Sequence, residues 1–129
     1  MNLEHKKMKI LIVDDEANIR ELLKINLEAK GYAVFEAANG KEALKQYLFY
    51  KPDLIILDVM MPEIDGWEVC KAIKDNSEIE NTKIIILSSK SHERDVVIGK
   101  GIFKADEYMT KPFELENILL KVEELLREK

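Results

Sequence analysis

The sequence predicts an α/β domain in three layers, a parallel sheet covered by helices on both sides. Three observations lead there. The runs Ile10-Leu11-Ile12-Val13, Leu54-Ile55-Ile56-Leu57 and Ile84-Ile85-Ile86-Leu87 are short, rich in β-branched residues and free of polar alternation, as strands buried on both faces are. Stretches with apolar residues three and four apart, the helical spacing, lie between them. The length of 129 residues fits one domain. Strand and helix alternate, which implies right-handed crossovers within one sheet.

Each element follows in turn. Ile10–Val13 is the first strand. Ile19, Leu22, Leu23 and Leu27 predict a helix over residues 16–30, with Gly31 as its stop. Ala33-Val34-Phe35-Glu36 reads as the second strand. Ala43, Leu44, Tyr47 and Leu48 predict a helix ending before Lys51-Pro52. After the third strand, Val69, Cys70 and Ile73 mark a helix opening near Asp65-Gly66. After the fourth strand, a helix is expected over residues 92–103. Gly99 and Gly101 lie inside it, each about 1 kcal/mol worse than Ala, so it should be irregular or frayed. Asp106 to Met109 is a shorter fifth strand. Leu115, Ile118, Leu119, Val122, Leu125 and Leu126 predict a C-terminal helix over residues 113–128.

Composition narrows the function. Twenty Lys and Arg against twenty-five Asp and Glu leave a net charge of −5. That balance argues against direct nucleic-acid binding, which normally needs a basic surface. Apolar residues make up 47% of the chain, enough for a sizeable core. The one cysteine, Cys70, excludes an internal disulfide and a CxxC metal site, and suits a reducing, cytoplasmic setting. No run approaches the roughly 20 apolar residues of a membrane span, and the polar start is unlike a secretion signal.

Ligands in open parallel sheets bind beyond the carboxyl ends of the strands. There the first run ends in Asp14-Asp15, the third in Asp58 and the fourth in Ser88-Ser89, and the fifth is followed by Thr110-Lys111-Pro112. Three carboxylates brought together repel unless a cation neutralises them. Oxygen-only ligands with room for water favour Mg2+. A metal, a lysine and a hydroxyl around one carboxylate are what phosphoryl transfer onto that carboxylate needs, because the transferring group spreads negative charge over three oxygens.

Asp14-Asp15, Asp58-Val59-Met60-Met61-Pro62 with Asp65-Gly66, Ser88-Ser89 and Tyr108-Met109-Thr110-Lys111-Pro112-Phe113 together resemble the receiver domain of two-component response regulators. The resemblance runs from about Lys9 to Leu126. It implies a flavodoxin-like (βα)5 fold with strand order 2-1-3-4-5, a receiver domain over residues 8–128 and a polar segment over 1–7. Asp58 is then the phosphoacceptor, served by a sensor histidine kinase or a phosphotransfer protein. Asp14, Asp15, Asp58 and the backbone carbonyl of Met60 are the implied Mg2+ site, Asp14 acting through a metal-bound water. Lys111, the Ser88 hydroxyl and the Ser89 N–H are the implied phosphoryl-binding groups, and Ser88 with Tyr108 the switch. Lys111-Pro112 is expected to be cis, which an X-Pro bond permits for about 0.5–1 kcal/mol, and to aim Lys111 at the site. The implied output is a two-state switch, not turnover of a metabolite. It is read by a downstream protein or an output domain at the face of the fourth helix, fifth strand and C-terminal helix. A chain of this extent suits either a single-domain regulator or the N-terminal part of a longer one.

Some positions depart from the family pattern. Ser89 stands where receivers often carry alanine. Lys104 stands where they usually carry glycine, which implies a positive φ that lysine tolerates poorly. The segment from Ser88 to Lys111 is about one residue longer than the family pattern leads one to expect. Met60 and Lys90 sit where receivers tune phosphoryl lifetime. Plainer readings stand beside the functional ones. Asp15 is a favoured N-cap type for the first helix, Ser88-Ser89 suits a turn, and Tyr108 suits ordinary packing. Trp67, Val69 and Cys70 read as packing, His92 as a solvated helix start, and His5 as part of the polar start. Two other functions compete. One is a phosphorylation-independent interaction module of the same fold. The other is a phosphohydrolase of haloacid-dehalogenase type, which needs a second Asp where this chain has Met60.

Overall fold

The computed structural model describes residues 7–59, 66–75, 82–89 and 104–128. The strands are β1 (Lys9–Val13), β2 (Ala33–Ala37), β3 (Leu54–Leu57), β4 (Lys83–Ser88) and β5 (Glu107–Thr110). They pair in parallel, in the order β2-β1-β3-β4-β5. This is the order the family resemblance implies. The described helices are α1 (Ala17–Ala29), α2 (Gly40–Tyr50), α3 (Gly66–Lys74) and α4, at the C-terminal end (Leu115–Arg127). The helix expected over 92–103 lies outside the described residues. None of the described helices is long and apolar enough to cross a membrane.

The missing polar alternation in the strands has a direct cause. Leu11, Val13, Ile55, Leu57, Ile84 and Ile86 pack on one side of the sheet with Ala43 and Tyr47 of α2 and Val69, Cys70 and Ile73 of α3. Ile10, Ile12, Leu54, Ile56, Ile85 and Leu87 pack on the other with Leu23 and Leu27 of α1 and Ile118, Val122, Leu125 and Leu126 of α4. Successive strand side chains point to opposite faces. Two cores therefore require apolar residues at every position.

Local chemistry sets the helix ends. Gly31 (φ +98°) stops α1 with its N–H on the Glu28 carbonyl at 2.9 Å, and the Tyr32 N–H reaches back to Leu27 at 3.3 Å. The Asn39 side chain caps α2 through the Glu42 N–H at 2.8 Å. The N-cap of α1 falls on Glu16, one residue beyond Asp15, and has no side-chain cap bond. β5 begins one residue later than expected. Asp106 is engaged by its side chain, with Oδ2 accepting from the Ile84 N–H at 2.7 Å and from Lys74 Nζ at 2.9 Å.

Lys104 has φ +59°, as the departure from glycine implies. A side chain in the left-handed region costs about 1–2 kcal/mol, and glycine gives back part of that as unfolded-state entropy. Lys104→Gly should raise stability by about 0.5–1 kcal/mol in urea denaturation, whereas Lys104→Ala, which keeps the Cβ, should give no such gain.

Candidate functional site

The sheet's own ladder builds the site. It continues one residue past the carboxyl ends of the strands. The Asp14 N–H donates to the Ala37 carbonyl at 3.1 Å, the Asp58 N–H to Val13 at 2.9 Å, and the Lys111 N–H to Ser88 at 2.9 Å. The first two bonds fix the backbones of Asp14 and Asp58 at neighbouring strand ends, because β1 lies between β2 and β3. The third joins the end of β4 to the residue after β5. The Lys111-Pro112 bond is cis, as expected.

Asp14, Asp58 and Ser88 are buried, at 2%, 4% and 0% exposure. Polar groups so deep need partners. The Lys111 ammonium supplies one. Its Nζ donates to Asp14 Oδ2 at 2.8 Å, Glu16 Oε1 at 3.1 Å and Asp58 Oδ2 at 3.3 Å, across 97, 95 and 53 residues of sequence. Burial opposes the charge on Lys111. The hydrogen bond and charge of Asp14, the charge of Asp58 and the hydrogen bond to Glu16 outweigh it and hold the pKa above its ordinary value. The lysine is thus a fixed cation.

Asp14 Oδ1 accepts the Glu16 N–H at 2.9 Å, so both oxygens of this carboxylate are engaged. Oxygens of Asp14, Asp15 and Glu16 lie within 4.8 Å of one another. Such an all-carboxylate donor set fits a hard divalent cation. Asp15 and Glu16 are exposed, leaving that side open to water. Asp58 joins the group through Lys111. Ser89 is exposed and shares an open groove beside the site with Glu16, Ile19, Leu22, Lys111, Pro112 and Phe113. Tyr108 is buried, pairs with Ile86 across β4 and β5, and packs in the core on the α2–α3 side. Met60 and Lys90 lie outside the described residues.

The sequence reading missed two residues. Glu16 directly follows the acidic pair, and that adjacency was the available signal. Arg20 donates from Nη1 to the Asp14 backbone carbonyl at 2.7 Å and from Nε to Glu36 Oε1 at 3.2 Å. It clamps the end of β1 to β2 from one helical turn beyond Glu16, a spacing that places both residues on one face of the helix. Cys70, read as packing, is fully buried. Burial pushes its thiol up to about 12, with Lys74 pulling down and Asp106 pushing up, so it is no activated nucleophile.

A doubly wound α/β domain with buried acids and a lysine among them at its carboxyl edge defines the class. The sequence profile of the response regulator receiver domain matches residues 10–123, and the chain belongs to that family. It is similar to the alkaline phosphatase synthesis transcriptional regulatory protein PhoP of Bacillus subtilis, at 47% identity over 92% of this chain and 48% of that protein. Its similarity to the transcriptional regulatory protein ResD of the same organism is 47% identity, again over 92% and 48%. The chain spans about half the length of these relatives. Among solved structures, the chemotaxis protein CheY4 of Vibrio cholerae matches with a TM-score of 0.86 at 33% identity, covering 93% of this chain and 99% of that one. A CheY-like receiver domain protein of Methanospirillum hungatei matches with a TM-score of 0.88 at 28% identity, covering 95% and 96%.

Proposed function

We propose that this chain is a phosphorylation-controlled switch whose phosphoacceptor is Asp58, with the receiver unit running over residues 8–128. One observation carries the reading: the Lys111 ammonium bridges the buried carboxylates of Asp14 and Asp58. A carboxylate oxygen of Asp58 attacks the phosphorus of a phosphohistidine on a sensor kinase or phosphotransfer protein. The P–N bond breaks, its electron pair returns to the imidazole nitrogen, and an acyl phosphate forms. Lys111 neutralises oxygens of the transferring group, and the Ser88 hydroxyl and Ser89 N–H donate to it. Asp14, Asp15, Asp58 and the Met60 carbonyl are the residues to hold Mg2+, which when bound supplies charge neutralisation for an incoming phosphoryl group.

The groove edged by Ile19, Leu22 and Phe113 next to Lys111 suits a protein phosphodonor. Phosphorylation biases a two-state equilibrium. Ser88 and Tyr108 carry the change to the face of β5, α4 and the preceding segment, where a target protein or an output domain reads it. PhoP and ResD are named as transcriptional regulators; for this chain a comparable output belongs to the proposal. The setting is the cytoplasm, and the receiver unit itself engages neither nucleic acid nor membrane. Water attack on the acyl phosphate releases inorganic phosphate and restores Asp58, so the chain resets itself without turning over an external metabolite.

Incubation with acetyl phosphate and Mg2+ should add one phosphoryl group by intact-mass measurement, and chelation of Mg2+ should prevent it. An unchanged mass together with partner binding indifferent to phosphodonor would favour the phosphorylation-independent module instead.

A further inference from the structure

Asp14, Asp15 and Glu16 make the turn from β1 into α1, and Arg20 holds both ends of it. Its backbone N–H donates to the Glu16 carbonyl at 3.2 Å, and its Nη1 to the Asp14 carbonyl at 2.7 Å. The second bond stands in for a rung the sheet does not supply. The Asp14 N–H still pairs with Ala37, but β2 ends there and Asn39 already caps α2. Among the described backbone hydrogen bonds none ends on the Asp14 carbonyl. The guanidinium is itself held. Its side chain is 18% exposed, and Nε donates at 3.2 Å to Glu36 Oε1, a residue of β2 that pairs in register with Ile12. Lys24 Nζ lies 3.5 Å from the other oxygen of Glu36. A planar guanidinium bonded on two sides fixes direction as well as distance.

We infer that Arg20 is a positioning residue for cation binding: by holding the Asp14 carbonyl it fixes the peptide that joins Asp14 to Asp15, and with it the direction in which the exposed Asp15 carboxylate leaves the strand end. The inference rests on the proposed Mg2+ site of Asp14, Asp15, Asp58 and the Met60 carbonyl. Oxygens of Asp14, Asp15 and Glu16 lie within 4.8 Å of one another, and like charges so close repel. A turn without the clamp relaxes by swinging Asp15 outward, and a cation must then order it again on binding. The charge of Arg20 acts in the opposite sense, because a cation beside an acidic cluster opposes a second one. Glu36 offsets that charge. Removing a residue that only pairs charges therefore leaves Mg2+ binding unchanged or tighter, whereas removing a clamp weakens it.

Two variants separate the clamp from the charge. Arg20→Met removes both. Arg20→Lys keeps the charge and a group able to donate to the Asp14 carbonyl, without the planar fork. Mg2+ is titrated into the full chain by calorimetry, and labelling by acetyl phosphate is followed by intact mass over a Mg2+ series. Arg20→Met should bind Mg2+ about tenfold more weakly than wild type, as loss of a group that orients metal ligands does. Arg20→Lys should bind it about threefold more weakly. At saturating Mg2+ both should label within about twofold of the wild-type rate, because neither side-chain bond of Arg20 ends on a carboxylate of the site. A general disturbance of the fold would lower that saturated rate as well. Mg2+ binding that is unchanged or tighter in Arg20→Met overturns the inference. A lysine variant no better than the methionine one also overturns it, as does a saturated rate lost along with the affinity. If Arg20→Met does not fold, Arg20→Lys decides alone: weaker Mg2+ binding with the saturated rate kept supports the inference, and wild-type affinity overturns it. A wild-type chain that binds no Mg2+ shows instead that the proposed metal site has failed, and the inference fails with it.

Discussion

Replacing Asp58 with asparagine should reduce labelling by acetyl phosphate to background and leave the fold intact. The amide has nearly the shape of the carboxylate, and its oxygen still accepts from Lys111, which lies 3.3 Å from Oδ2. What it lacks is a nucleophilic anion. A neutral amide oxygen does not displace the imidazole of a phosphohistidine or the acetate of acetyl phosphate. The loss is therefore complete, unlike the graded loss from removing a stabilising donor. The variant also takes one like charge out of an acidic cluster, so its melting temperature without Mg2+ should equal or exceed that of wild type. Intact-mass measurement and a thermal melt check both statements. Persistent labelling of the variant would place the phosphoacceptor elsewhere.

Lys111→Met should be the most damaging single change at the site. It leaves the buried carboxylates of Asp14 and Asp58 without their shared cation. Breaking such a pair from one side destabilises by about 3–5 kcal/mol. Mg2+ should recover more stability in this variant than in wild type, because the cation replaces the missing charge. A ligand present at a hundred times its Kd contributes about 2.7 kcal/mol. Labelling should still be about 100-fold slower or worse, since a metal on the carboxylates does not reproduce the lost donor. The pH dependence has a definite sign. The folded pKa of Lys111 lies above its ordinary value of 10.5. Its stabilisation is whole below that value and fades only as pH rises through the folded one. The gap between wild type and variant contributed by Lys111 should therefore be constant around neutrality and narrow only in strong alkali. Urea denaturation with and without Mg2+ measures it. A variant as stable as wild type would show that Lys111 does not neutralise the buried acids.

The site was legible to different degrees at different residues. Asp14, Asp58 and Ser88 were visible because each directly follows or ends an apolar run, and a parallel sheet gathers such ends at one edge. Lys111 was visible through the fifth strand. Glu16 and Arg20 were not singled out, because an acid after an acidic pair and an arginine in a helix have ordinary solvated readings. Only the fold shows that one reaches Lys111 across 95 residues and that the other holds the Asp14 carbonyl. The capping reading of Asp15 went the other way. It is Asp14 that accepts the Glu16 N–H, and this bond orients its second oxygen toward Lys111.

By itself the sequence determined what is periodic or local. It set strands buried on both faces, helices with one apolar stripe, the glycine stop at Gly31, and which chemical groups stand at the strand ends. Pattern repeats over a few residues, so these follow from short windows. The tertiary structure alone decided which carboxylates share the ammonium of Lys111, which of them are dry and which are wet, and that Glu16 belongs among them. Those are through-space distances between strand ends, and no short window of sequence contains both partners.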